Sequence, residues 1–191
     1  MVNSRKLKSE TLKFDLTERV AGALSSVVPR GSSLVLGLSG GVDSVVLLHL
    51  LGQISPQFSW RLRALHVHHG ISPHADNWAA FCTELCAKYS IPLQLEHVDI
   101  KPLRSMGIEA AARQLRHAAL ARQPVDFIIL AHHRDDQAET LLLQLLRGAG
   151  VRGGSAMPLL KPRHLAPTLL RPLLDVERSE LEIYARQHEL Q

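Results

Sequence analysis

Residues 39–44 of this 191-residue chain read Ser-Gly-Gly-Val-Asp-Ser and stand between two apolar stretches. Gly40 and Gly41 suit a sharp turn from a buried strand into a helix, because glycine tolerates the positive φ that such turns often use. A helix N-terminus presents unpaired backbone N–H groups, and the hydroxyls of Ser39 and Ser44 offer further donors to phosphate oxygens. The stretch therefore predicts a phosphate-binding turn.

Asp43, within the same stretch, would repel a bare phosphate. Its presence indicates that a divalent cation such as Mg²⁺ lies between the carboxylate and the phosphate. The turn is not a Walker loop, because the lysine of that motif is absent. A helix cap would explain Ser39 or Asp43 alone, but not the whole set of polar residues.

A second polar stretch, 130–140, reads LAHHRDDQAET. Asp136 and Glu139 are three residues apart and share one face of a predicted helix, although the helix dipole alone would favour one acid there. The stretch also fits a metal-dependent phosphohydrolase, whose paired metals collect histidine and aspartate ligands; the candidates are His132, His133, Asp135 and Asp136.

A third stretch, 107–120, reads GIEAAARQLRHAAL. Arg113 and Arg116 lie one turn apart on a predicted helix and could offer guanidinium groups to a phosphate. An exposed helix face with a Glu109–Arg113 pair explains the same residues equally well. The histidines of HVHHGI, 66–71, are individually best explained as satisfied polar residues.

The elements that must position these stretches alternate between strand and helix. An amphipathic opening (Leu12, Leu16, Val20, Leu24) precedes predicted strands at 33–38, 61–67, 93–98 and 127–131, which alternate with predicted helices at 42–53, 76–89, 108–122 and 135–147. A strand at 168–170 and a helix that starts near 176 and still runs at 191 complete the pattern.

The pattern predicts an α/β fold: a doubly wound, mostly parallel sheet with helices on both faces. Ligands of such sheets bind at the carboxyl ends of the strands. The stretches that follow the first, second and fourth strands should therefore meet at one edge of the sheet.

Composition narrows the class of protein. Apolar residues make up 46% of the chain, which is enough for a buried core, and the net charge of +4 comes without a dense basic patch. Cys82 and Cys86 are spaced as two reduced thiols on one helix face. The N-terminus has no apolar signal segment and no run is long enough to span a membrane, so we expect a cytoplasmic protein without a membrane partner. The oligomeric state stays open, a homodimer included.

Together these stretches resemble the tRNA(Ile)-lysidine synthetase family, which belongs to the N-type ATP pyrophosphatases with a PP-loop. The resemblance covers about 34–184 and rests on SGGVDS, HVHHGI with Trp78, GIEAAARQLR, AHHRDDQAETLLLQLLRGAG and LLRPLL, in the family's order. It implies a PP-loop ATPase fold of the adenine nucleotide alpha hydrolase-like kind. It also implies an enzyme that ligates lysine to C2 of the wobble cytidine (position 34) of tRNA(Ile), through an adenylated cytidine, with release of AMP and pyrophosphate.

The resemblance further implies the ligands, which are ATP, Mg²⁺, L-lysine and tRNA(Ile) with a CAU anticodon. The residues implied to hold ATP are Ser39, Gly40, Gly41, Val42, Asp43 and Ser44, with Asp43 and Asp136 on the metal. Arg113 would contact the α-phosphate, Arg116 is a further candidate, and Asp136 and Glu139 would serve the metal, the lysine or both. Residues 1–191 would form the N-terminal PP-loop ATP-binding catalytic domain, truncated at its C-terminal end, without the family's tRNA-binding C-terminal domains.

Two other functions remain open from the sequence: a metal-dependent phosphohydrolase built on HHRDD, and a non-catalytic module that binds ATP. Sulfur transfer is disfavoured, because enzymes that thiolate tRNA usually carry paired cysteine motifs, whereas Cys82 and Cys86 lie inside a predicted helix.

Overall fold

The computed structural model describes residues 16–146, 148 and 156–190. A first helix, α1, covers 16–25. The strands are β1 (Ser33–Gly37), β2 (Arg61–His68), β3 (Leu93–His97), β4 (Phe127–Ile129), β5 (Leu160–Lys161) and β6 (Thr168–Leu170). The other helices are α2 (Val42–Ile54), α3 (Ala75–Lys88), α4 (Ile108–Ala121), α5 (Arg134–Leu146) and α6 (Arg178–Gln187). The predicted role of Leu12 and the last residue of the predicted helix 135–147 lie outside the described residues.

The strands form one sheet in the order β3-β2-β1-β4-β6-β5, in which every pairing is parallel except that of β5 with β6. β1 lies between β2 and β4, so that Leu36 is in register with Ala64 on one side and with Ile129 on the other. The chain leaves β1 toward β2 and returns to β4 on the opposite side of β1. The crevice at the carboxyl ends of β1 and β4 is therefore the switch point where ligands bind in such sheets.

Helices cover both faces of the sheet, which confirms the predicted doubly wound α/β architecture. Leu34 and Leu36 belong to the apolar core shared with α1, α2, α3 and α6, whereas Val35 belongs to a second core with α4. This alternation follows from the pleat of a strand, whose successive side chains point to opposite faces. α2 is buried along most of its length and carries the turn 39–44 at its N-terminus.

Two local features differ from the sequence prediction. The sequence did not predict β5, whose two residues pair antiparallel with β6 at the edge of the sheet. The prediction that the last helix continues to 191 is wrong, because α6 ends at Gln187. Glu189 adopts φ +53 there, and the backbone N–H of Leu190 donates to the carbonyl of Ala185 at 2.9 Å. These contacts form a Schellman C-cap in which a glutamate takes the position usually held by glycine.

Cys82 and Cys86 are free, as predicted, and both are buried in the core. Burial raises the pKa of the Cys82 thiol to about 12 and that of Cys86 to about 11, so both thiols stay protonated near neutral pH. Among the helices that the structure describes, none combines the length and apolar character that crossing a membrane requires.

Candidate functional site

A cavity of about 560 Å³ opens at the carboxyl edge of the sheet. The turn after β1, the end of β2 and the segment after β4 all line it, as the parallel order of these strands requires. α4 contributes Arg116 to the same wall. Its polar and charged lining residues are Ser39, Asp43, Ser44, His66, His68, His69, Ser72, Arg116, His132 and Asp136. The volume lies in the range of small-molecule sites.

The turn 39–44 is held by its own hydroxyl groups. Ser44 is buried, and its hydroxyl donates to the carbonyl of Gly41 at 2.8 Å while accepting the backbone N–H of Ser39 at 3.3 Å. The backbone N–H of Gly41 donates to the Ser39 hydroxyl at 3.3 Å. The two serines thus fix the backbone of the turn, in addition to the phosphate contacts predicted for them.

The two glycines of the turn differ in their backbone requirement. Gly40 has φ +86, a conformation that strongly favours glycine, and a Cβ at this position would lie 3.4 Å from Cys82 Sγ. Gly41 is the N-cap of α2 with φ −77 and ψ 157, which any residue can adopt. Only Gly40 is therefore demanded by the backbone of the turn.

His133 links the turn after β1 to the first turn of α5. Its Nε2 lies 3.5 Å from Asp43 Oδ2 and 3.7 Å from Asp136 Oδ2. Asp136 Oδ2 also accepts the backbone N–H of His133 at 2.8 Å. The predicted metal carboxylates, Asp43 and Asp136, thus meet around one imidazole.

The carboxylate pair fits a hard divalent cation. Among the residues that the structure describes, Asp43 Oδ1 is buried without a hydrogen-bond partner, and an ionised carboxylate oxygen can be satisfied only by a donor or a cation. Mg²⁺ is typically held by one or two carboxylates together with substrate phosphates. No group of three histidine, cysteine or acidic side chains within the described residues could hold a metal alone. Asp43 and Asp136 could therefore hold Mg²⁺ only in company with a further ligand, such as a phosphate.

The wall of the cavity near His132 combines neutral and cationic nitrogen groups. Burial, and next the nearby Arg171, lower the pKa of His132 to about 4, so its ring is neutral near neutral pH. Burial and the adjacent Arg113 also lower the pKa of Arg171. Arg171 is 7% exposed, and its Nε has no hydrogen-bond partner within the described part of the chain. The arginines on and behind this wall make it attractive to anions.

The histidines at the end of β2 divide into two kinds. His66 Nδ1 lies 2.9 Å from the carbonyl of Leu38, which can only accept, so Nδ1 carries the hydrogen. His68 Nε2 pairs with Asp76 at 3.0 Å. His69 Nδ1, like His132 Nδ1, is buried without a partner within the described residues. The expectation of satisfied polar residues therefore holds for His66 and His68 but not for His69.

The structure does not bring every predicted site residue into the cavity lining. Arg113 and Glu139 are exposed and lie outside it, although Glu139 is one turn from Asp136 on α5. Gly40, Gly41 and Val42 form the turn itself without lining the cavity. Sequence reasoning considered His133 only as a metal ligand and did not assign a role to Arg171. The position of Arg171 directly after β6, at the ligand-binding edge of the sheet, was the available signal.

The sequence of this chain matches a known protein family and several curated relatives. The family model described as the PP-loop domain matches residues 13–191. The tRNA(Ile)-lysidine synthase of Azoarcus sp. (strain BH72) is 48% identical over 163 residues, which cover 85% of this chain and 36% of that protein. The tRNA(Ile)-lysidine synthase of Nitrosomonas europaea is 46% identical over 178 residues, 92% of this chain and 39% of that protein. The chain thus spans somewhat more than a third of the length of these relatives.

Among solved structures, the U34-tRNA thiolase NcsA from Methanococcus maripaludis superposes with a TM-score of 0.82. It is 21% identical and matches 95% of this chain and 66% of that chain. At this identity the likeness shows a shared fold.

Proposed function

We propose, since this chain belongs to the family of PP-loop domains, that it is the ATP-binding catalytic domain of an enzyme that attaches lysine to tRNA(Ile). The observation that carries the proposal is the cavity, in which the phosphate-type turn 39–44, with its own Asp43, lies close to the carboxylate of Asp136. The similarity to tRNA(Ile)-lysidine synthases supports the choice of substrates.

The proposed reaction has two steps. The C2 oxygen of the wobble cytidine (position 34) attacks the α-phosphorus of ATP, an O–P bond forms, and the bond to the β-phosphate breaks to release pyrophosphate. The lysine ε-amine then attacks C2, and the C2–O bond breaks to release AMP. In water the ε-ammonium group of lysine has a pKa of about 10.4, so it must lose a proton before or during attack.

The residues of the turn would hold the triphosphate: Ser39, Gly40, Gly41, Val42 and Ser44 supply backbone N–H groups and hydroxyls at the N-terminus of α2. Mg²⁺, held by Asp43 and Asp136, would neutralise the phosphate charge. Arg113 and Arg116 on α4 would stabilise the negative charge of the α-phosphate during transfer.

The acidic residues of α5 would act on the second substrate. Asp136 and Glu139 lie on one side of the first turns of that helix, where their carboxylates can attract the lysine ammonium, orient the amine and accept its proton. The arrangement gives no particular support to a phosphohydrolase, because the described residues provide no three-ligand metal group.

Pyrophosphate release from labelled ATP by the full-length protein tests the proposal. We expect pyrophosphate only when tRNA(Ile) is present, and lysidine only when lysine is added. Release of orthophosphate would favour a hydrolase, and an absence of turnover in every mixture would refute the proposed enzyme.

Asp43→Ala should reduce pyrophosphate release by roughly a hundredfold or more, because the metal loses one of its two carboxylates. The matched control is Glu84→Ala on α3, an exposed acid outside the cavity, which should keep the parent rate. Circular dichroism spectra should be the same for both variants. Parent-like turnover of Asp43→Ala would remove the assigned role of this carboxylate.

A further inference from the structure

The surroundings of His133 indicate which nitrogen of its ring carries the hydrogen. The residue is 4% exposed, and its Nδ1 accepts the backbone N–H of Asp135 at 3.2 Å. A neutral imidazole has one protonated nitrogen, so an acceptor role for Nδ1 places the hydrogen on Nε2. Nε2 lies 3.5 Å from Asp43 Oδ2 and 3.7 Å from Asp136 Oδ2.

The backbone of His133 is also anchored. His133 lies shortly after β4, and its backbone forms a parallel bridge with Leu173, which lies shortly after β6. The ring therefore stands at a fixed place between α2 and α5. Asp43 and Asp136 are far apart in sequence, and each brings its Oδ2 to within 4 Å of the same nitrogen.

The carboxylate oxygens of the two aspartates have different contacts. Oδ2 of each aspartate lies within 4 Å of His133 Nε2, while Oδ1 of Asp43 is buried and has no hydrogen-bond partner among the described residues. Two carboxylates that converge without a donor between them would repel each other. An N–H dipole close to both carboxylates reduces that repulsion and favours an orientation in which Oδ1 of Asp43 stays available to a cation.

We propose that His133 is a positioning residue that holds Asp43 and Asp136 as one divalent-cation site through its Nε2–H. The inference rests on the proposed function, in which the cation arrives with ATP. It differs from a role of His133 as a metal ligand, because Nδ1 is engaged by the Asp135 N–H and Nε2 carries the hydrogen. Groups that orient metal-binding carboxylates typically change metal affinity by about 10–100-fold when removed.

Manganese binding to the full-length protein tests the proposal without measuring turnover. The probe is Mn²⁺, followed by electron paramagnetic resonance, together with a non-cleavable α,β-methylene analogue of ATP. His133→Leu should weaken Mn²⁺ binding in the ternary complex by about 10–100-fold. His133→Gln, whose amide N–H can reach toward the carboxylates, should stay within about fivefold of the parent. His74→Gln, an exposed histidine at the start of α3, is the matched control and should bind like the parent.

The outcomes separate the roles. Parent-like Mn²⁺ affinity in His133→Leu overturns the proposal, and so does a loss beyond fivefold in His133→Gln, which would indicate direct ligation. Analogue affinity in EDTA should change less than about twofold in either variant, since the turn that holds the phosphates is untouched. Should His133→Leu fail to fold, as judged by its melting, the result for His133→Gln decides alone. Failure of the parent protein to bind Mn²⁺ with the analogue would instead refute the proposed function.

Discussion

Alanine at Gly40 and alanine at Gly41 should have different consequences, because only one of the two glycines has a positive φ. At Gly40, φ is +86 and a Cβ would lie 3.4 Å from the Sγ of Cys82, which is fully buried and cannot easily move. A left-handed conformation costs a residue with a Cβ about 1–2 kcal/mol. At Gly41, the backbone is extended and a Cβ would meet only Ser39 Oγ at 3.5 Å, an ordinary contact.

We therefore expect Gly40→Ala to lower the free energy of unfolding by about 1–2 kcal/mol and Gly41→Ala to change it by less than about 0.5 kcal/mol. For a chain of this length, 1 kcal/mol corresponds to about 2–4 °C in melting temperature. Thermal and urea unfolding of both variants measure the difference. Equal stability of the two variants, or a larger loss in Gly41→Ala, would refute the reasoning from the backbone of the turn.

Two further predictions concern stability away from the turn. Glu189→Gly should raise the free energy of unfolding by about 1 kcal/mol, because Glu189 adopts φ +53 at the end of α6 and glycine tolerates this conformation. Glu189→Ala should not raise the free energy of unfolding, and urea denaturation of both variants measures the difference. Lowering the pH from 7 to about 4 should destabilise the protein, because burial lowers the pKa of several histidines in the folded state. Below about pH 6.5 the unfolded chain takes up protons that the folded chain takes up only at lower pH. The stability that these histidines contribute is present above about pH 6.5 and is lost as the pH falls toward their folded-state pKa values, which for His132 is about 4. The midpoint of urea denaturation measures this loss, and a midpoint that stays constant from pH 7 to about 4 would contradict the lowered pKa values. The histidines concerned are His49, His66, His69, His117 and His132.

Most strands and helices of the fold could be predicted from the sequence, because each depends on a local pattern of apolar, polar and glycine residues. The strands 33–38 and 127–131 were predictable from their apolar runs, which a parallel sheet covered on both faces requires. The glycines of the turn indicated the start of α2. β5 was not predictable, since two residues have no periodicity and their pairing depends on β6. The end of α6 was also hidden, because Glu189 is not a residue that signals a left-handed cap.

The site was predictable to the level of the sheet edge but not to the level of individual contacts. Parallel strands bring their carboxyl ends together, so the meeting of Asp43 with the segment after β4 follows from topology. Which of the consecutive polar residues 132–136 faces Asp43 depends on how the backbone bends after β4, and this bend is fixed by the bridge of His133 with Leu173. Periodicity does not report such a bend, and for this reason the sequence did not predict that His133 lies between Asp43 and Asp136.

The charges around the cavity further indicate which form of the nucleotide the site fits. A free triphosphate in the cavity would be attracted by Arg116 but repelled by Asp43 and Asp136, which line the same cavity. Because Asp43 Oδ1 is buried without a hydrogen-bond donor in the described part of the chain, this carboxylate has an unmet requirement for positive charge. Under the proposed function, a divalent cation that arrives with the nucleotide would satisfy this requirement and remove the repulsion in the same event. The cavity would then be complementary to the metal–nucleotide complex rather than to either ion alone, and the proposed role of His133 is to position the two carboxylates for this complex.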